Sequence, residues 1–203
     1  MKLYYSPGAC SLSPHIVLSE LGLPHDLVKV DLKAHQTADG ADFYGINPKG
    51  YVPALQLDNG QVLTEGPAIV QYLADQKPDA GLLPAAGTLE RARVQEWLNF
   101  IGTELHKGFS PLFRPDTPEE VKIAARTQLG KRFGYVDKAL TGKDYLTGDQ
   151  FSVADAYLYT IANWTFPMSI DLSPYANVGA FHKRVSARPA VQAAMKAEGL
   201  LKG

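Results

Sequence analysis

The chain has a single cysteine in 203 residues, which excludes a disulfide framework and any zinc site built on cysteine thiolates. A lone thiol suits a reducing compartment, so a cytoplasmic protein is expected. There is no surplus of positive charge either: 20 Lys and Arg face 21 Asp and Glu, for a formal net charge of −1. Nucleic acid is therefore not an expected partner, because phosphate recognition needs a basic footprint. Long hydrophobic runs are missing. The longest uncharged stretch, Ala156 to Ile170, contains Asn163 and Pro167 and falls short of the roughly 20 apolar residues that span a membrane. The first residues, MKLYYSPGAC, lack the apolar core of a secretory signal. His15, His25 and His182 have no carboxylate or Cys at ligand spacing, so no metal is expected.

What remains is an ordinary globular composition, 45% hydrophobic and 20% charged, at a length that suits two small domains. The texture changes at PDAGLLPAAG, residues 78–87. Before it, Lys2 to Tyr5 reads as a strand ending at the turn Ser6-Pro7-Gly8, residues 11–22 as a helix, and Leu27 to Leu32 as a strand. Ala54 to Leu57 and Gln61 to Leu63 flank Asp58-Asn59-Gly60, and Asn-Gly between apolar runs predicts a hairpin. Glu65 to Asp75 follows as a helix. Residues 1–81 thus predict an α/β domain of order β-α-β-β-β-α. Residues 87–203 predict an all-helical domain, with Leu89 to His106 and Pro118 to Leu140 as long helices. Ser152-Val-Ala-Asp155 reads as a capping-box start to a third. Residues 177–186 and 189–197 read as two short ones.

Cys10 follows a strand and a turn and stands just before a helix, where a thiolate is electrostatically favoured. A thiol at the reference pKa of about 8.5 is only about 3% ionised at pH 7, and a pKa lower by about two units makes it mostly thiolate. The alternative is a small buried hydrophobe. Either Ser11 caps the helix, or Ser13 does with Pro14 in its first turn. Cys10-Ser-Leu-Ser13 lacks the second Cys of a dithiol, so the thiol can cycle only through a mixed disulfide. In NPKGYVPAL, residues 47–55, a cis bond before Pro53 would turn Val52 outward as an edge for an extended, peptide-like ligand. Glu65-Gly66-Pro67 opens a helix whose backbone N–H groups attract an anion while Glu65 receives an ammonium, or else simply complements the helix dipole. Asn99, Thr103 and His106 share one face of a regular helix, either solvated or walling a cleft. Trp164 and Phe113 either line an apolar pocket or pack in the core.

Together, MKLYYSPGACS, NPKGYVPAL, LTEGPAIVQYLAD and EWLNFIGTELHKGFSPLFRPDTPEE resemble a bacterial beta-class glutathione S-transferase, in register through to AVQAAMKAEGLLK. The segment from Gly148 to Asp155 resembles the same family's helical capping element. The resemblance implies a thioredoxin-like domain followed by a helical domain that contributes the electrophile site. It also implies a homodimer that takes up glutathione as co-substrate and a small-molecule electrophile. Cys10 is then the active-site cysteine, with Ser11 and His106 as further catalytic candidates. Val52 and Pro53 hold the cysteinyl part of glutathione, and Glu65 and Gly66 its γ-glutamyl end. Asn99, Thr103, Glu104 and His106 border the site, Glu104 contributing across the dimer. Two departures stand out. His35 takes the place of a glutathione-contacting lysine, which implies weaker binding at pH 8 than at pH 6 unless Lys33 substitutes; Gly66 replaces a serine. The implied activity is conjugation in detoxification. Disulfide exchange or reductive dehalogenation through Cys10, and a non-enzymatic ligand carrier, are the alternatives.

Overall fold

The computed structural model describes residues 1–201. It divides into two compact units, Met1–Gly81 together with the chain from Ala187 onward, and Leu82–Ser186.

The first unit is built on strand β1 (Lys2–Tyr5), whose Leu3, Tyr4 and Tyr5 are all buried. Helix α1 (Leu12–Leu21) leads to β2 (Asp26–Asp31), which pairs parallel to β1. A two-residue strand β3 (Gln36–Thr37) adds antiparallel to β2. It was not anticipated, since two residues carry no periodicity. Strands β4 (Ala54–Gln56) and β5 (Val62–Thr64) form the expected hairpin on the other side of β1, giving the order β3-β2-β1-β4-β5. Gly60 takes φ 84° in that turn, donating to the Leu57 carbonyl at 2.9 Å, a conformation open to glycine at little cost.

Helix α1 is buried nearly all round and packs against α2 (Gly66–Asp75) and α8 (Pro189–Ala197). This corrects the expected boundary. The terminal helix groups with the first unit, because α1 needs cover on more sides than one sheet and one helix supply.

In the second unit, α3 (Leu89–Phe100) does not run on regularly to His106 as expected. It widens into a π-helical turn at Ile101–His106, then tightens through a 3₁₀ turn at Lys107–Phe109 into the short α4 (Ser110–Phe113). Helices α5 (Glu119–Ala139), α6 (Val153–Ala162) and α7 (Ala176–Ser186) complete it. Every residue of α6 is buried, so this apolar helix is the centre around which the others pack.

The start of α6 is a buried polar knot. Asp155 accepts from Leu146 N at 2.9 Å, Ser152 N at 2.8 Å and Ser152 Oγ at 2.7 Å, completing the capping box. Burial outweighs these bonds and pushes the Asp155 carboxyl up to about 6. Among the described residues no helix is long and apolar enough to cross a membrane.

Candidate active site

In the first unit the loop between β1 and α1 carries Cys10, one residue ahead of the N-cap Ser11. The loop closes on itself: Ser11 Oγ donates to the Ser6 carbonyl at 3.3 Å and accepts from Ser6 N at 3.2 Å. Ser11 is fully buried and makes no side-chain cap, so its hydroxyl shapes the cysteine loop. Cys10 is only partly exposed, and its thiol donates to the Val52 carbonyl at 3.2 Å.

The Val52–Pro53 bond is cis. Val52 is not the exposed edge that was expected. It is 3% exposed, packed with Tyr4, Val30, Phe43 and Ala54, and its carbonyl is the acceptor for Cys10.

Residues 47–53 are fastened from two sides. The buried Asn47 donates from Nδ2 to the Tyr51 carbonyl at 2.7 Å, and its Oδ1 accepts from Lys49 N at 3.2 Å, an Asx turn. On the other side His35 Nδ1 lies 3.0 Å from the Gly50 carbonyl, and the His35 ring sits 4.5 Å from that of Tyr44. Gly50 has φ 72°, and a Cβ there would come within 2.5 Å of Tyr44 Cε1. Only glycine fits. Lys33 is exposed, its backbone N–H donating to Asp31.

Helix α2 begins one residue later than the expected Glu65, with Glu65 as N-cap and Gly66 as its first residue. Glu65 holds φ 69°, a positive φ that costs any residue with a Cβ and tends to be kept where function needs it. Its Oε1 receives Lys49 Nζ at 2.5 Å and Tyr51 Oη at 2.9 Å. Gly66, by contrast, has no conformational need to be glycine; a Cβ there meets only Pro53 Cγ at 3.8 Å.

A second carboxylate supports the cysteine loop. Glu198, at the end of α8, accepts from Gly8 N at 2.9 Å through Oε2, and its Oε1 lies 2.9 Å from His15 Nδ1. Both side chains are almost wholly buried, 3% exposed for His15 and 0% for Glu198. Glu198 stands 183 and 190 positions from these partners, so no spacing rule pointed to it.

In the helical unit Thr103, Glu104 and His106 lie on the π turn, and Asn99 lies near the end of α3 just before it. Thr103 Oγ1 donates to the Asn99 carbonyl at 3.1 Å, and both side chains are exposed. The wider winding means that Asn99, Thr103 and His106 do not follow the regular helical stripe anticipated for them. Glu104 pairs with Arg132 of the same chain at 2.6 Å. His106 Nδ1 shares a 2.6 Å hydrogen bond with the phenol of Tyr157, a buried residue of α6. The His106 ring meets Trp164 edge-on at 4.9 Å, and Trp164 in turn meets Phe113 at 5.1 Å. Trp164 is buried while Phe113 is 49% exposed, so of the two only Phe113 offers open apolar surface. Among the described residues no cluster of three His, Cys, Asp or Glu is placed to hold a metal.

A mixed sheet of this order, with a lone cysteine ahead of α1 and a cis-proline loop facing it, followed by a helical unit, defines a thioredoxin-like class of thiol-handling proteins. Family models narrow it. The glutathione S-transferase N-terminal domain matches residues 8–76, and the C-terminal domain residues 100–189. Glutathione S-transferase GstA of Escherichia coli O157:H7 is 51% identical over 98% of this chain and 100% of its own length. A beta-class glutathione S-transferase of Sphingomonas chungbukensis superposes with a TM-score of 0.96 at 52% identity, covering 99% of this chain and 100% of that one. A sphingomonad glutathione S-transferase, solved in complex with glutathione, superposes at 0.95 and 50% identity with the same coverage, 99% and 100%. The chain belongs to the glutathione S-transferase family and falls among its bacterial beta-class enzymes.

Proposed function

We propose that this enzyme binds reduced glutathione on the first unit and directs its sulfur at small hydrophobic electrophiles. The observation that carries the reading is the meeting of Cys10 Sγ with the Val52 carbonyl at 3.2 Å. It brings a partly exposed thiol to the backbone that would hold the cysteinyl part of the ligand. Glu65 and Gly66 at the start of α2 are assigned to the γ-glutamyl end, an ammonium on the carboxylate and a carboxylate on the helix N–H groups. His35, through its hold on Gly50, and Pro53 keep the ligand-facing loop in place.

In the helical unit, Asn99, Thr103, Glu104 and His106 are the assigned polar contacts, and exposed Phe113 offers apolar surface to the electrophile. Catalysis consists of stabilising the glutathione thiolate and aligning it with the electrophile. With a chloronitroaromatic substrate a C–S bond forms, chloride departs, and the thiol proton passes to solvent. We further propose a homodimer acting in detoxification in the cytoplasm. The ring cluster of Trp97, Phe100 and Tyr135, with Tyr135 54% exposed, supports the pairing of chains.

The deciding experiment compares wild type with Cys10→Ala in glutathione-dependent conjugation of a chloronitroaromatic and in exchange with a small disulfide. Because Cys10 is partly exposed, disulfide exchange is a specific second reading. Loss of exchange with retained conjugation is expected, because exchange needs the Cys10 thiolate as attacking group whereas backbone N–H groups at the start of α1 can still donate to the glutathione sulfur. A wild type without conjugation above the uncatalysed rate would remove the transferase reading for that substrate.

Gly66→Ser adds a hydroxyl donor where space allows it. It is expected to leave stability within about 0.5 kcal/mol and to lower the glutathione dissociation constant by about 3- to 10-fold, the worth of one hydrogen bond. Calorimetric titration reads the second, and an unchanged constant would place that hydroxyl away from the ligand.

A further inference from the structure

The Glu65 carboxylate already holds a cation of its own. Lys49 Nζ lies 2.5 Å from Glu65 Oε1 and 3.0 Å from Thr64 Oγ1, and the Tyr51 phenol donates to the same Oε1 at 2.9 Å. Both members of the ion pair are near the surface, with side chains 44% and 54% exposed, so the pair can exchange partners readily. Lys49 stands in the loop anchored by Asn47, which delivers its backbone to this place.

We propose that Lys49 is an internal substitute for the ligand's α-ammonium on Glu65 and so sets how strictly the site demands that ammonium. The inference rests on the glutathione reading above. Two ammonium groups on one carboxylate oxygen repel one another, and Oε1 already accepts from Tyr51 as well. A ligand amine therefore competes with Lys49 for the Glu65 carboxylate, exchanging one ion pair for another with a small net gain. A ligand without the amine leaves Lys49 in position, and Glu65 keeps its counter-charge. Lys49 thereby lowers the site's preference for the free amino terminus and widens the range of glutathione derivatives it accepts.

Removing the charge should affect the two kinds of ligand in opposite senses. The test is calorimetric titration of wild type, Lys49→Met and Lys49→Arg with reduced glutathione and with its deaminated analogue, glutaryl-cysteinyl-glycine. The preference for glutathione over the analogue, taken as the ratio of dissociation constants, is expected to rise about 3- to 5-fold in Lys49→Met, a surface ion pair's worth. Glutathione itself should bind more tightly, and Lys49→Arg should keep the wild-type ratio. Thermal unfolding of each variant confirms that it is folded. Weaker glutathione binding in Lys49→Met, or an equal change for both ligands, would show that Lys49 touches a part common to both and overturn the inference alone. Absence of glutathione binding by folded wild type would overturn the glutathione reading, and this inference with it.

Discussion

Asp155→Ala is expected to destabilise the protein by about 3–4 kcal/mol at pH 7, from lost acceptors for buried donors and a lost cap. Three donors, Leu146 N, Ser152 N and Ser152 Oγ, converge on a carboxylate that is 0% exposed. Alanine leaves all three without their acceptor at a buried position. Relief of a buried charge offsets part of this, so the loss is smaller than three separate orphaned donors would suggest. Against a total of about 5–15 kcal/mol for a typical protein, the change should be plain in a urea midpoint. A shift worth less than about 1 kcal/mol would mean that the loop before α6 relaxes to find other partners.

The same carboxyl makes a pH signature. Its pKa rises from 3.8 in the reference state to about 6 when folded. A raised folded pKa gives a stabilising contribution that is fully present below 3.8 and lost as pH rises through about 6. At neutral pH the contribution of this group to folding stability is therefore about 3 kcal/mol less favourable than below pH 3.8, where it is protonated in both states. Asp155→Asn cannot titrate. The stability of wild type relative to this variant is expected to fall by roughly 1.4 kcal/mol per pH unit between pH 4 and pH 6 and to level off above. A flat difference over that range would show that the hydrogen bonds, and not burial, govern the group.

Glu198→Ala is the second large effect. It removes the shared acceptor of His15 Nδ1 and Gly8 N, both at 2.9 Å. Leaving two buried donors without their acceptor costs about 1–3 kcal/mol each, and for a chain of this size 3 kcal/mol lowers the Tm by about 6–12 °C. Glu198→Gln retains one acceptor oxygen but turns an NH₂ toward the other donor, so an intermediate loss is expected. The consequence extends to the cysteine loop. Gly8 stands two residues before Cys10, and its N–H is one of the ties that hold this turn. The glutathione KM of Glu198→Ala is therefore expected to rise at a temperature where the variant is still folded. A Tm within a degree of wild type would show that α8 does not tie down the loop; a lower Tm with unchanged KM would confine Glu198 to stability.

The two units differed in how readable they were. Strand, helix and hairpin in the first unit rest on local rules: Asn59-Gly60 for the β4–β5 turn, alternating and continuous apolar runs for the strands, Pro67 near the start of α2. These came within a residue or two of the structure. In the second unit the long helices and the Ser152–Asp155 capping box were legible for the same reason. The π turn at Ile101–His106 was not, because its residues have ordinary helical spacing and nothing in the local chain announces a wider winding.

Among the candidate site residues, Cys10, Pro53, Glu65 and Gly66 were singled out by turns, helix starts and motif resemblance. Their partners were not. The pairing of Cys10 with Val52 spans 42 positions, that of His106 with Tyr157 spans 51, and that of Gly8 with Glu198 spans 190. Asn47 left a faint local signal, an Asn followed by Pro-Lys-Gly, which in hindsight marks an Asx turn.

By itself, then, the sequence determined the α/β-then-helical order, the lone thiol before a helix and the family, because periodicity, turn chemistry and motif order are local properties of the chain. Tertiary structure alone decided that Ser11 closes the loop, that Val52 accepts from the Cys10 thiol, that Lys49 occupies Glu65, and that α8 joins the first unit. Each depends on groups brought together by burial of apolar surface. That burial is collective and non-directional, so which polar partners end up facing one another is settled only once the whole core has packed.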